Sequence, residues 1–219
     1  MSTPSEPEPA GSLVNRGVDC YEKRNLDQAI AHYTQAVAID PSLADAYYNR
    51  GVAYFEKGDH DRAIGDYTKT IELKPRYVSL ADVYYNRALA HSRKGEDELA
   101  ISDYTQAIAI NPRLAKAYYN RGVVFQRSKS DYDQAISDYN QTIALNPNWS
   151  EAFNNRGAAY TFKGDFPRAI ADFAQAVELN PKSEAATQNL AVARANKERD
   201  SSGLTNEFAG RIVIQNLDC

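Results

Sequence analysis

One spacing recurs along this 219-residue chain and limits its fold more than any other feature. An Asn returns every 34 to 37 residues, together with an Ala-Ile pair, an aromatic residue four positions after that Ala, and a closing Pro. Several columns that share one period indicate an array of structural repeats, each of which buries its apolar face against the next. The Asn residues are Asn15, Asn49, Asn86, Asn120, Asn155 and Asn189.

Each repeat has the pattern of two helices joined by a turn. In the second repeat, small and aromatic residues recur at helical spacing over 46–54 and apolar residues again over 63–73. The sequence Gly58-Asp59 separates the two runs, because Gly suits a left-handed helix C-terminus and Asp suits a helix start. Pro75 closes the repeat because proline does not continue a helix.

This pattern resembles the tetratricopeptide repeat family over about residues 10–198. The family motif places Gly or Ala, Tyr, Ala, Phe or Tyr, Ala and Pro at set offsets in a 34-residue helix-turn-helix. The resemblance implies an all-α fold, a right-handed α-solenoid of five repeats plus a C-terminal capping helix. The matching residues are Gly51, Tyr54, Ala63, Tyr67, Thr70 and Pro75 in the second repeat, and Gly157, Tyr160, Ala169, Phe173, Ala176 and Pro181 in the fifth.

The repeat register divides the chain into four parts. We expect a disordered lead over 1–9, five repeats over 10–181, a capping helix over 182–199 and a tail over 200–219. One extra residue within Arg127–Asp131 predicts an enlarged turn in the fourth repeat, and three extra residues within Arg76–Leu80 predict an early helix start in the third. The repeats span about 10–43, 44–77, 78–114, 115–149 and 150–183.

The tail has no repeat to join. Arg211–Leu217 contains Ile-Val-Ile, which is typical of a strand. Exposed, such a stretch favours aggregation or binding. Three interpretations stay open: the tail docks along its own groove, docks onto another copy, or is disordered.

The Asn column is the predicted binding site. In arrays of this family the first helices line the concave face, and the resemblance to the repeats of the O-linked N-acetylglucosamine transferase family implies that the Asn side chains point into a groove. One amide offers an acceptor and two donors, so it can bind the C=O and N–H of an extended peptide whatever its side chains. The predicted peptide-binding residues are Asn15, Asn49, Asn86, Asn120, Asn155, Asn189, Tyr48, Tyr85 and Tyr119.

Two alternatives to this site stay open. Each Asn can instead hydrogen-bond a neighbouring helix, and the Tyr residues that precede three of them can pack between adjacent first helices. Asn154 stands where a Tyr is expected, which predicts a more polar groove near the C-terminal end.

An Arg follows the Asn in each of the five repeats, and an Asp follows the second-helix Ala by three positions in four of them. These columns predict structural ion pairs, either within a repeat or between repeats. As exposed pairs they would each contribute only about 0.2–1 kcal/mol. The residues are Arg16, Arg50, Arg87, Arg121 and Arg156, with Asp66, Asp103, Asp138 and Asp172.

Composition and motifs favour a non-enzymatic protein. His32, His60 and His91 are scattered, and neither a phosphate-binding loop nor a nucleophile motif occurs, so we predict no catalytic residue, metal or cofactor. A net charge of −4 and a pI near 5.5 disfavour nucleic acid. Two cysteines and the lack of an apolar run of about 20 residues predict a cytoplasmic protein without a membrane span.

The predicted function is therefore a protein-interaction scaffold that binds an extended peptide or a helix of a partner in its concave Asn/Tyr-lined groove. The alternative is structural self-assembly, in which repeats stack end to end or the tail docks into a neighbour as a homo-oligomer. The clamp for C-terminal carboxylates found in chaperone-binding relatives is disfavoured, because Val14 and Asp82 occupy positions where that clamp needs basic residues.

Overall fold

The computed structural model describes residues 8–75, 78–201 and 212–214. Within these ranges the chain forms eleven α-helices and one π-helical turn, with no β-strand, so the predicted all-α solenoid class is confirmed. Expectations for the lead and for most of the tail fall largely on residues outside the described ranges. The chain divides into two compact units, residues 1–111 and 112–219.

The helices pair in chain order within each compact unit. The first compact unit contains α1 (Ala10–Glu22), α2 (Leu26–Ile39), α3 (Ala44–Glu56), α4 (His60–Leu73), α5 (Leu80–Lys94) and α6 (Asp97–Ile110). The second contains α7 (Ala115–Val124), the π-helical turn Phe125–Lys129, α8 (Tyr132–Leu145), α9 (Ser150–Phe162), α10 (Phe166–Leu179) and α11 (Glu184–Ser201). Odd-numbered helices are the first helices of the repeats, and even-numbered ones are the second helices.

The turn between paired helices has the predicted chemistry. Gly58 and Gly164 adopt φ of 79° and 77°, a left-handed conformation that glycine accepts without the strain a Cβ would bring. The carboxylate of Asp59 accepts a hydrogen bond from the backbone N–H of Arg62 at 3.2 Å and thereby caps α4. These residues end one helix and start the next within three positions.

The single extra residue of the fourth repeat does not enlarge the turn, so that prediction is wrong. It is absorbed in the π-helical turn that continues α7. In the second repeat the N–H of Asp59 bonds to the carbonyl of Tyr54, whereas the N–H of Asp131 reaches back to Phe125, one residue further. A wider i to i+5 turn takes up one residue without breaking the helix.

A small residue faces an aromatic ring where the two helices of a repeat meet. A Cβ placed on Gly51 would lie 2.9 Å from Cε1 of Tyr67, and one on Gly157 would lie 2.9 Å from Cε1 of Phe173. Ala63 is fully buried beside this contact. The close approach leaves no volume for a larger side chain on the first helix.

We expect Ala100→Leu to lower the free energy of unfolding by about 1–3 kcal/mol through overpacking, because Ala100 is fully buried on α6. Ala109→Leu on the exposed side of the same helix is the matched control and should change it little. Chemical denaturation measures both. Equal stability of the two variants would contradict this packing.

From the second repeat to the fifth, the Arg and Asp columns form ion pairs within one repeat, which resolves the open choice. Arg87 donates from Nε and Nη2 to the two carboxylate oxygens of Asp103 at 2.7 and 2.8 Å. Its Nη1 also reaches Thr68 of the preceding repeat at 3.0 Å. The same bidentate pairing joins Arg50 to Asp66, Arg121 to Asp138 and Arg156 to Asp172.

These pairs are not the exposed kind. The Asp103 side chain is only 8% exposed and that of Arg87 is 19% exposed, so each charge depends on its partner for solvation. In the fourth and fifth repeats, burial raises the pKa of Asp138 and Asp172, and the hydrogen bonds from their Arg partners oppose that rise.

We expect Arg87→Met to lower the free energy of unfolding by about 3–5 kcal/mol, because it leaves the Asp103 carboxylate buried without its partner. Arg24→Met is the control, since Arg24 is 80% exposed in its contact with Glu56 and its loss should matter little. Urea denaturation of both variants measures the difference. A loss no larger in Arg87→Met than in Arg24→Met would refute the buried pair.

Candidate functional site: the first-helix asparagines and residues 212–214

Three asparagines on α9 and α11 have no solvent exposure. They are Asn154, Asn155 and Asn189, of which Asn154 was not predicted as a site residue. A buried amide without partners is costly, so each must find donors and acceptors inside the protein. Their contacts with one another and with neighbouring residues therefore have to satisfy these amides.

The amides form a connected chain of hydrogen bonds. Asn155 donates from Nδ2 to the hydroxyl of Tyr119 at 3.0 Å, and Asn154 donates to Oδ1 of Asn155 at 3.2 Å. Asn189 then donates to Oδ1 of Asn154 at 2.9 Å. Side chains from α7, α9 and α11 are thus joined in one polar network.

The network ends on the backbone of Val213. Its N–H donates to Oδ1 of Asn189 at 2.8 Å, and its carbonyl accepts from Nδ2 of Asn189 at 2.8 Å and from Nδ2 of Asn154 at 3.1 Å. The Asn189 amide therefore uses both donors and its acceptor. In this structure residues 212–214 dock on their own chain, with their peptide backbone held by side-chain amides.

The neighbouring isoleucines add an apolar contact. Ile212 and Ile214 both pack against a cluster built on the buried residues Ala158, Phe173 and Ala193, whereas Val213 is not part of that cluster. The three residues are half-buried and lie in neither a helix nor a strand. The apolar contact thus alternates along the segment, with the residues before and after Val213 on the cluster.

The docking position coincides with a break in the Tyr column, which consists of Tyr48, Tyr85 and Tyr119, each directly before an Asn of the Asn column. In the first compact unit, Asn86 donates to the hydroxyl of Tyr48 at 3.1 Å, one repeat earlier, as Asn155 does to Tyr119. The residue before Asn155 is Asn154, which is shorter than a Tyr. Asn189 therefore hydrogen-bonds the Asn154 amide and the Val213 backbone in place of a Tyr hydroxyl. In the sequence, this site is indicated by Asn154, which replaces the Tyr expected at that position.

The Tyr hydroxyls in these contacts stay protonated. Burial raises the pKa of Tyr48, with Asp82 adding to the effect, and burial raises the pKa of Tyr119 far above its usual range, with Glu151 adding to it. Both rings pack against aromatic neighbours, Tyr48 at 6.1 Å from Tyr67 between centroids and Tyr119 stacked at 4.8 Å on a Trp. Tyr85 is only 5% exposed.

The remaining predicted residues differ in exposure. Asn15 is exposed, Asn49 and Asn86 are half-buried, and Asn120 is 7% exposed. The side-chain amide of Asn49 makes no hydrogen bond to the residues that the structure describes. Its counterpart in the Tyr column one repeat earlier is Val14, which has no hydroxyl to offer. The Asn49 amide therefore lacks the hydrogen bond that Asn86 and Asn155 make to a Tyr one repeat earlier.

The described part of the chain contains no cluster of three or more His, Cys, Asp or Glu that could hold a metal ion. None of its helices has both the length and the apolar character needed to cross a bilayer.

The geometry defines a class of protein: a helical repeat protein in which paired helices share one small-to-aromatic contact. Models of the tetratricopeptide repeat match residues 44–77, 150–183 and 115–148, and a TPR repeat model matches residues 17–58 and 93–129. The chain belongs to the tetratricopeptide repeat family, as its motifs predicted. No curated protein sequence matches it.

Solved structures of the same fold include three that are informative. A crystal structure of MamA is 31% identical, covers 76% of this chain and 95% of its own, and superposes with a TM-score of 0.71. MamA 41-end from Desulfovibrio magneticus RS-1 is 19% identical, with coverage of 82% and 99% and a TM-score of 0.74. YrrB, described as a TPR protein with an unusual peptide-binding site, is 22% identical, with coverage of 80% and 89% and a TM-score of 0.70.

We expect the amide of Val213 to exchange with solvent more slowly than that of Ile214, because Asn189 accepts its proton. Asn189→Ala removes that acceptor and should bring the Val213 rate close to the Ile214 rate. Hydrogen exchange followed by NMR measures both amides in one sample, with Ile214 as the internal control. Random-coil exchange of Val213 in the unaltered chain would contradict the docked position.

Proposed function

We propose that this protein is a non-enzymatic interaction module that binds an extended segment of a partner protein along the first-helix face of its repeats, through the Asn amides. The observation that carries the proposal is the two-way hydrogen bonding between the Asn189 amide and the Val213 backbone. One side chain there recognises both polar groups of a single peptide residue.

This chemistry suits a scaffold. Pairing an amide with a peptide unit does not depend on the ligand's side chains, and each hydrogen bond contributes only about 0.5–1.5 kcal/mol net. Affinity would then come from several such contacts, and specificity from the apolar surfaces beside them. Relatives of the fold support the proposal, since the YrrB structure is described by its peptide-binding site.

The first compact unit offers the same chemistry at Asn49. Its amide has no partner among the described residues, and Val14 presents an apolar surface in the register of the Tyr column. Asn86 spends one of its two donors on Tyr48. We propose that the side-chain amides of the Asn column, from Asn15 to Asn189, hydrogen-bond the backbone of the ligand. We propose that Tyr48, Tyr85 and Tyr119 line the groove beside them.

The proposed function needs no cofactor. It involves no nucleic acid, in keeping with a net charge of −4. We also propose that the protein acts in the cytoplasm, in keeping with its having only two cysteines. Self-assembly through the tail or the repeat ends is the alternative. The docking of residues 212–214 on their own chain favours the interaction module over that alternative.

The test starts from peptides selected against the full chain from a random display library. Asn49→Ala should weaken their binding by about three- to tenfold, the loss of one or two hydrogen bonds. The double variant Asn86→Ala with Asn120→Ala should also weaken it. Fluorescence anisotropy with labelled peptides measures the dissociation constants.

Gln35→Ala is the matched control, because it removes an exposed amide from a second helix and should leave binding unchanged. Melting temperatures of all variants separate lost binding from lost folding. Failure to select any peptide, or selected peptides that bind every Asn variant as tightly as the unaltered chain, would refute the proposed function.

A further inference from the structure

We infer that the site around Asn154 and Asn189 selects an extended segment with branched aliphatic residues on both sides of one backbone-clamped residue, and that residues 212–214 are its built-in ligand. The inference rests on the proposed function and adds to it a ligand sequence and an internal competitor. A partner must therefore displace the chain's own segment before it binds here.

The polar half of the site admits one peptide backbone at a time. Both donors and the acceptor of Asn189 are in use, and Asn154 supplies a second donor to the same Val213 carbonyl. Because both amides have no solvent exposure, a ligand that lacks an N–H and a C=O at this position would leave buried polar atoms unsatisfied. The site therefore requires a peptide unit.

The apolar half sets the side chains at the flanking positions. Ile212 and Ile214 contact a surface made by the fully buried residues Ala158, Phe173 and Ala193. Leu190 and Tyr160 pack against the same cluster, so the surroundings of the two isoleucines are apolar. A charged or amide side chain at either flanking position would lose its hydration without a partner.

The middle position is held through its backbone. Val213 is half-buried and, among the residues that the structure describes, lies outside the apolar cluster that its neighbours contact. The site should then accept aliphatic-x-aliphatic segments in which the side chain at x fits this half-buried position. Proline at x is the exception, because it has no N–H for Oδ1 of Asn189.

The covalent link makes the chain's own segment a strong competitor. Ten residues separate the end of α11 at Ser201 from Ile212. A tether of this length holds a ligand at an effective concentration in the millimolar range. A partner's apparent affinity falls in proportion to the fraction of time the site is empty.

The experiment uses the full chain and a fluorescent peptide with the sequence of residues 210–217, blocked at both ends. Val213→Pro removes the N–H that Asn189 accepts, and Val213→Ala keeps it. If the internal segment occupies the site about nine-tenths of the time, Val213→Pro should bind the peptide about tenfold more tightly than the unaltered chain. Val213→Ala should bind it like the unaltered chain.

A second peptide with alanine in place of both isoleucines tests the apolar half. Val213→Pro should bind this peptide at least about tenfold more weakly than the first, since two buried aliphatic side chains are lost. Equal binding of the two peptides would overturn the inferred sequence preference. Failure of Val213→Pro to bind the first peptide would overturn it as well.

Competition is also measured without a variant. Saturating the unaltered chain with the first peptide should speed hydrogen exchange at the Val213 amide, because the segment leaves its amide partners. Unchanged exchange, or equal affinity of Val213→Pro and the unaltered chain for the peptide, would overturn the internal competitor. A dimer that Val213→Pro converts to monomer would show exchange of the segment between copies and would overturn it too.

These outcomes are separable from those of the proposed function. Library-selected peptides whose binding depends on Asn49 would keep the proposed function standing even if the Val213 variants behave like the unaltered chain. If peptide binding does not depend on Asn49 and the Val213 variants also behave like the unaltered chain, both the proposed function and the further inference are refuted.

Discussion

The close approach of two helices at a small residue is the contact on which each repeat depends. The ring of Tyr67 or Phe173 fills the space beside Gly51 or Gly157, and a Cβ at either glycine would fall within 2.9 Å of it. Since the small and the aromatic residue sit on different helices of one repeat, each contact sets the spacing of a pair. The recurring spacing of the sequence is the repetition of this contact.

Ion pairs and hydrogen bonds between recurring positions also set how the packed helices align along their length. The bidentate Arg–Asp pairs join the two helices of each repeat from the second to the fifth, and the Asn–Tyr hydrogen bonds join first helices of successive repeats within a compact unit. Because these groups are largely buried, each needs its partner in place. A change at one position of a column therefore alters what its neighbour must bind, as Asn154 does for Asn189.

The consequence of that change is a site that takes a peptide backbone. A Tyr hydroxyl would satisfy the next Asn in the same way as Tyr119 satisfies Asn155. With Asn154 in the column, the donors and the acceptor of Asn189 are completed by Val213. The energetic requirement that buried amides be paired is thus met by the backbone of residue 213, and the neighbouring Ile212 and Ile214 pack against an apolar cluster.

The sequence by itself determined the repeat period, the helix pairs, the turn residues and the family, because these follow from local spacing and from residues such as Gly58, Asp59 and Pro75. It also indicated the Asn column. Peptide binding by that column stays a prediction. Only the tertiary structure decided that Arg and Asp pair within a repeat, that the fourth repeat absorbs its extra residue in a π-helical turn, and that Val213 meets Asn189. Those outcomes depend on distances between residues remote in the chain, which the periodicity of a single column does not contain.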